Sequence, residues 1–127
     1  MAAYDIIDEF LALKKLAVGG ASRSRSKFGN RVYLDLRSKG YTVYPVNPNA
    51  GEVEGDRCYP DLASLPEPVE GLVLVTPPEV SEELIREAAR VGIRRVWLQP
   101  GAESDAVLDL CAAHGIVAVS DECILVQ

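Results

Sequence analysis

Between Gly19 and Asn30 the chain reads GGASRSRSKFGN, two glycines followed by serines alternating with Arg23, Arg25 and Lys27. Small residues let a backbone approach a ligand closely, and hydroxyl, guanidinium and ammonium groups donate hydrogen bonds. A helix starting after such a loop adds unpaired amides and the positive end of its dipole. Phosphate binding is the chemistry these features suit, through Gly20, Ala21, Ser22, Arg23, Arg25, Lys27, Phe28 and Gly29. The stretch matches neither GxGxxG nor GxxxxGK[ST]. On its own it reads either as a phosphate loop or as a solvated turn carrying surface charge.

Three more segments follow apolar runs and fall where a parallel sheet presents its ligand. VNPN supplies Asn47, Pro48 and Asn49 where an NAD site carries Asp or Glu to hold the ribose hydroxyls. The neutral asparagines leave room for an additional ribose phosphate, and an Asn-Pro turn accounts for them equally well. In TPPEV, Thr76 precedes Pro77 and Pro78, which either stiffen a wall against a flat base or simply start a helix. QPGAE places Gln99, Pro100 and Gly101 at a turn that also suits ligand approach.

Candidate catalysts are few. His114, the single histidine, precedes Gly115 at the expected end of a helix, where a cation complements the dipole. Cys58, Cys111 and Cys123 are too widely spaced for a metal site and odd in number for a disulfide framework, so reduced thiols are expected. Cys123 reads as small apolar packing or as a reactive thiol, and Arg57 before Cys58 would favour its thiolate. Asp121 and Glu122 are adjacent without a deducible facing geometry, Trp97 reads as core, and no metal-ligand spacing is present.

The elements that must position these residues alternate in type. Ile6, Ile7, Phe10, Leu11 and Leu13 predict a helix over 4–15, followed by a strand in LAVGGA and a helix over 27–39 ended by Gly40. Strands are expected at 41–46, 71–75, 94–99 and 116–120. Helices are expected at 81–92, with Ser81 as N-cap, and at about 103–114, while 49–70 offers only a short helical turn near 61–65. Buried strands alternating with amphipathic helices imply an α/β fold, a doubly wound five-stranded parallel sheet in three layers, as a single domain over 1–127. A net charge of -6 argues against nucleic acid as partner. No apolar run is long enough for a membrane span, and Asp5, Asp8 and Glu9 sit where a signal peptide carries positive charge, so a cytoplasmic protein is expected.

Taken in order, Gly20-Ala21-Ser22, Lys27-Phe28-Gly29, GYTVYPVNP, Glu54-Gly55, VWLQPG and DECI resemble the stand-alone coenzyme A-binding domain family, similar to the N-terminal domain of the succinyl-CoA synthetase alpha subunit. The resemblance implies a Rossmann-like fold with CoA or an acyl-CoA across the strand ends. Gly20, Ala21 and Ser22 would approach the phosphates, Asn47 and Pro48 would border the adenosine, Thr76, Pro77 and Pro78 would line the nucleotide, and Gln99 to Gly101 would face the other side. Arg23 and Arg25 match only as a variable basic loop, and their role rests on charge. The synthetase's phosphorylated histidine belongs to a further domain, so ligase chemistry is not implied. The expected function is therefore CoA binding without catalysis. The alternatives are an NAD/NADH-sensing module acting through a partner protein, and a thiol- or CoA-linked redox protein using Cys123 or Cys58. A homodimer and an unidentified protein partner both remain open.

Overall fold

The computed structural model describes residues 3–127. Five parallel strands form the central sheet: β1 (Lys15–Gly19), β2 (Thr42–Val46), β5 (Gly71–Leu74), β6 (Arg95–Leu98) and β7 (Val117–Val119), in the order β2-β1-β5-β6-β7. Helices α1 (Ala3–Leu11), α2 (Phe28–Ser38), α3 (Pro78–Val91) and α4 (Asp105–Ala113) cover it, and a 3-10 turn, η1 (Ile124–Val126), follows β7. Parallel neighbours require crossovers, and α2, α3 and α4 supply three of the four, the β2–β5 connection running through residues 47–70 without a helix. The five-strand order, with one strand on one side of β1 and three on the other, puts a switch point between β1 and β5.

Each strand divides its side chains between two cores. Leu16, Val18, Val73, Trp97 and Val119 point toward Phe10 of α1, Val32, Tyr33 and Leu36 of α2, and Ile124. Ala17, Leu72, Leu74, Val96 and Leu98 point toward Leu84, Ile85 and Ala88 of α3 and Val107 and Cys111 of α4. The alternation is the period of two that a pleated strand imposes, and both faces are apolar because both are covered. Trp97 is fully buried, packs edge-on against Phe10 at 5.5 Å and donates from its indole nitrogen to the Glu122 carbonyl at 3.0 Å. Its expected place in the core is what the structure shows.

Boundaries differ from the expected ones for local reasons. α1 stops at Leu11, not at residue 15, because the Glu70 carboxylate accepts the amides of Lys14 and Lys15 at 2.7 and 3.0 Å and starts β1 there. β1 ends at Gly19, since Gly20 takes a φ of +89° that no strand continues. Gly19 lies in the strand, where a Cβ would stand 2.8 Å from Leu74 and 3.0 Å from Leu84. α3 begins at Pro78 with Pro77 as N-cap, a position where proline's fixed φ and missing amide cost nothing. Ser81 is therefore inside the helix and buried, its hydroxyl sharing a 2.7 Å hydrogen bond with Thr76.

Residues 49–70 hold an element that the sequence reading missed. β3 (Glu52–Val53) and β4 (Asp56–Arg57) form a small antiparallel hairpin whose turn residues, Glu54 and Gly55, have φ of 49° and 83°. Positive φ at both central positions is the type I′ pattern that matches strand twist. The hairpin is fastened to α2: Tyr33 and Arg37 both donate to Asp56, Arg37 at 2.7 Å, and Arg37 also donates to the Glu54 carbonyl at 3.2 Å.

Candidate functional site

Four loops leave the carboxyl ends of β1, β2, β5 and β6, and three adjoining clefts lie among them. One, of about 380 Å³, is lined by Ser22, Arg23, Ser24, Asn47, Asn49 and Ala50. The next, of about 310 Å³, takes its walls from Gly20, Asn47, Pro48, Pro60, Thr76, Val80, Glu83, Leu84 and Glu87 among others. The third, of about 280 Å³, is largely apolar, with Phe28, Val75, Thr76, Pro77, Pro100, Gly101 and Ala102. A hollow of about 480 Å³ at the other end of the sheet, near Leu13, Lys39 and Gly40, is larger. It lies at the amino ends of the strands, away from the switch point where open α/β sheets take ligands.

Close backbone approach shapes the floor of the site. A Cβ on Gly20 would stand 2.2 Å from the Val75 carbonyl oxygen, and one on Gly29 would stand 2.0 Å from the Gly20 carbonyl oxygen. Glycine at both positions lets β1, β5 and the first turn of α2 converge. Gly29 thus sets α2 directly on the loop that follows β1. Asn47 fixes the second loop against the first, its amide donating to the Ala21 carbonyl at 2.9 Å and its oxygen accepting the Asn49 amide at 2.8 Å. The turn expected from Asn-Pro is there, and it is also a brace between loops.

Three helices start at this end, and their N-termini are not equivalent. α4 is capped by Ser104, whose hydroxyl accepts the Val107 amide at 3.1 Å, and Asp105 sits in its first turn. α3 begins with prolines that lack amides and carries Glu79 in its first turn. α2 has Lys27 at its N-cap, no side-chain cap and no acid in its first turn. The positive end of its dipole is left without a neutralising group from its own first turn, beneath a loop of serines and cations. Of the three helix starts it is the one with neither a side-chain cap nor an acid in its own first turn.

The expected site residues divide into those that face the clefts and those that support them. Ser22, Arg23, Pro48, Thr76, Pro77, Pro100, Gly101 and Phe28 line cleft walls, and Phe28 is 42% exposed despite its size. Lys27 is exposed at the helix start, and Pro78 begins α3. Ala21 is buried. Arg25 is turned toward the hairpin, pairing with Glu54 through Nε and Nη2, both at 3.2 Å. Gln99 is a correction: its side chain is buried and directed away from the clefts, accepting the Ile124 amide at 2.7 Å and donating to Cys123 Sγ at 3.4 Å. It anchors the C-terminal segment under β6.

The reactive-thiol reading loses its support at Cys58. That side chain is 5% exposed, burial pushes its thiol above the ordinary range, and Arg57 stacks on the Tyr59 ring at 5.2 Å without activating it. Burial also pushes Cys111 up to about 11. His114 is the C-cap of α4, as expected, and Asp121 and Glu122 are both exposed in the turn before η1. Among the described residues no group of His, Cys, Asp and Glu is arranged to hold a metal.

Several residues around the clefts escaped the sequence reading. Glu83 and Glu87 bring carboxylates to the middle cleft, Pro60 reaches it from the irregular segment, and buried Asn30 binds the Ser22 carbonyl at 2.9 Å from the first turn of α2. Glu83 and Glu87 follow Val80 at helical spacing, which is the signal that would have placed them on the cleft side of α3.

Comparison with known proteins finds relatives of the whole fold. The chain is 32% identical over 115 residues to an ADP-forming acetate-CoA ligase II of Archaeoglobus fulgidus, a match covering 81% of the chain and 17% of the ligase. It is 30% identical over 92 residues to the alpha subunit of ADP-forming acetate-CoA ligase II of Pyrococcus furiosus, covering 72% and 20%. It therefore spans about a fifth of the length of these curated relatives. Among solved structures, a conserved hypothetical protein of Pyrococcus furiosus superposes with a TM-score of 0.85 at 41% identity, covering 89% of this chain and 97% of that one. With a CoA binding domain model matching residues 14–127, the chain belongs to the CoA-binding domain family, with the Rossmann-like fold and the coenzyme A ligand of that family.

Proposed function

We propose that the protein holds CoA or an acyl-CoA across the carboxyl ends of β2, β1, β5 and β6 and presents it to chemistry carried out by another chain or domain. The observation that carries this reading is the start of α2, without a side-chain cap or an acid in its own first turn, beneath Ser22, Arg23 and Lys27. A pyrophosphate there gains backbone amides, the helix dipole and charge-assisted bonds together. The apolar third cleft, with Phe28, Pro77, Pro100 and Ala102, suits the pantetheine arm, and the cleft containing Asn47, Pro48 and Thr76 suits the nucleoside.

The relatives named as ligases are several times longer, and one is named as a subunit. A partner chain that performs acyl transfer fits that relationship.

Thermal unfolding with CoA, acetyl-CoA, NAD, NADH, NADP and ATP at matched ionic strength tests the reading. A ligand present at about 100 times its Kd adds about 2.7 kcal/mol to the native state, roughly 10 °C for a domain of this size. Stabilisation by CoA and acetyl-CoA above the others is expected. Stabilisation by NADH alone would replace the reading with that of a nicotinamide sensor.

A further inference from the structure

The β3–β4 hairpin contributes no residue to the three clefts, yet its turn residue is bound to the loop that does. Glu54 has a φ of 49°, a conformation that costs a glutamate more than a glycine or asparagine, and its side chain is only 12% exposed despite its charge. Oε2 accepts from Asn30 Nδ2 at 3.1 Å and Arg25 Nε at 3.2 Å, while Oε1 accepts from Arg25 Nη2 at 3.2 Å. Asn30 uses the same amide nitrogen to hold the Ser22 carbonyl at 2.9 Å. One carboxylate is thus tied to both sides of the Ser22–Lys27 loop, to its start through Asn30 and to its middle through Arg25.

We propose that Glu54 is a positioning residue for CoA: without touching the ligand, it holds the Ser22–Lys27 loop in the shape that receives the phosphates. This rests on the CoA reading of the site. A loop ordered before the ligand arrives does not subtract the cost of its ordering from the affinity. Arg25 also neutralises a carboxylate that would otherwise stand unpaired beside an anion site. The pair sets two effects against each other. By Coulomb's law alone, removing a negative charge near the phosphates tightens binding. By positioning, removing it loosens the loop and weakens binding.

Glu54→Asn separates the effects, because Asn-Gly is the preferred dipeptide for a type I′ turn and the hairpin is retained while the carboxylate is lost. CoA affinity is measured by calorimetry for wild type, Glu54→Asn, Arg25→Ala and the double variant, and the rate of tryptic cleavage after Arg23 is followed in each. The expected result is CoA affinity weakened about tenfold in Glu54→Asn, faster cleavage after Arg23, and an unfolding temperature no lower than that of the wild type. Arg25→Ala is expected to weaken binding in the wild type but to add nothing in the Glu54→Asn background. Unchanged or tighter binding by Glu54→Asn overturns the proposal, as does weaker binding with cleavage unaltered or with the full Arg25→Ala effect persisting. A wild type that takes no CoA overturns the binding reading itself, a result distinct from one in which wild type and Glu54→Asn bind equally well.

Discussion

Replacing Gly29 by alanine sets helix propensity against tertiary packing, and the two predict opposite signs. Gly29 lies in the first turn of α2, and alanine in a helix interior is favoured over glycine by about 0.8–1.0 kcal/mol. Its Cβ, however, would fall 2.0 Å from the Gly20 carbonyl oxygen and 3.0 Å from the carbonyl carbon. A comfortable carbon–oxygen contact is about 3.3 Å, so helix and loop must separate by about an ångström. The obstructing atom is backbone, fixed by the Gly20 amide's 3.0 Å hydrogen bond to the Val46 carbonyl. Overpacking of this kind costs about 1–3 kcal/mol or more, and a net loss of about 2 kcal/mol corresponds to roughly 8 °C in Tm. Far-UV circular dichroism during thermal and urea unfolding reads it. Gly101→Ala is the comparison: φ is +99° but the space around a Cβ is open, so only the conformational cost of about 1–2 kcal/mol applies. A Gly29→Ala variant as stable as the wild type would refute the close approach of α2 to the β1 loop.

Arg23→Ala is expected to weaken CoA binding about fivefold, near 1 kcal/mol, and to flatten its dependence on salt; titration at two ionic strengths checks both, and an unchanged slope would remove Arg23 from the phosphates. Stability should fall in acid. Hydrogen bonds from Arg25 and Asn30 hold Glu54 below the ordinary carboxylate range, those from Tyr33 and Arg37 do so for Asp56, those from Lys15 and Tyr44 for Glu67, and the Lys14 and Lys15 amides for Glu70. Each contributes stability that is present above its unfolded pKa, about 4, and lost as pH falls through the lower folded value; Tm measured from pH 6 downward should drop most steeply below about pH 4. On the alkaline side, the hydrogen bond to Glu67 and partial burial push Tyr44 up to about 12, so its contribution is complete below about pH 10 and disappears as pH rises through 12, which ultraviolet titration of the phenol follows. Among the thiols, Cys123 should react with a thiol reagent in the native protein well before Cys58 and Cys111, which are 5% and 2% exposed; mass spectrometry of the modified peptides identifies them.

The doubly wound sheet was legible because GLVL and VWL are continuous apolar runs with an amphipathic segment between them, a pattern that burial on both faces requires. A glycine-opened loop of serines and cations between the first strand and the second helix was legible from residue types, though as a charged turn as much as a phosphate loop. Its supports were not. Glu54-Gly55 lacks the Asn or Asp that marks a tight hairpin, and two-residue strands leave no periodicity to read. Only the structure brings Glu54 to Arg25 and Asn30, across separations of 29 and 24 residues. Gln99 failed in the opposite sense: its position after β6 is a cleft position, but its side chain turns inward, where the Ile124 amide and Cys123 meet its polar atoms. Ser81 misled as a cap because two prolines had already begun the helix.

Amide chemical shifts recorded during a CoA titration test the central claim most directly, since they report affinity and location together. Binding at the strand ends predicts saturable shifts at Gly20, Ser22, Gly29, Asn47, Thr76 and Gly101, with Leu13, Gly40 and Gly92 unmoved. Shifts confined to the far end of the sheet, or none at millimolar CoA, would contradict the assignment of this cleft.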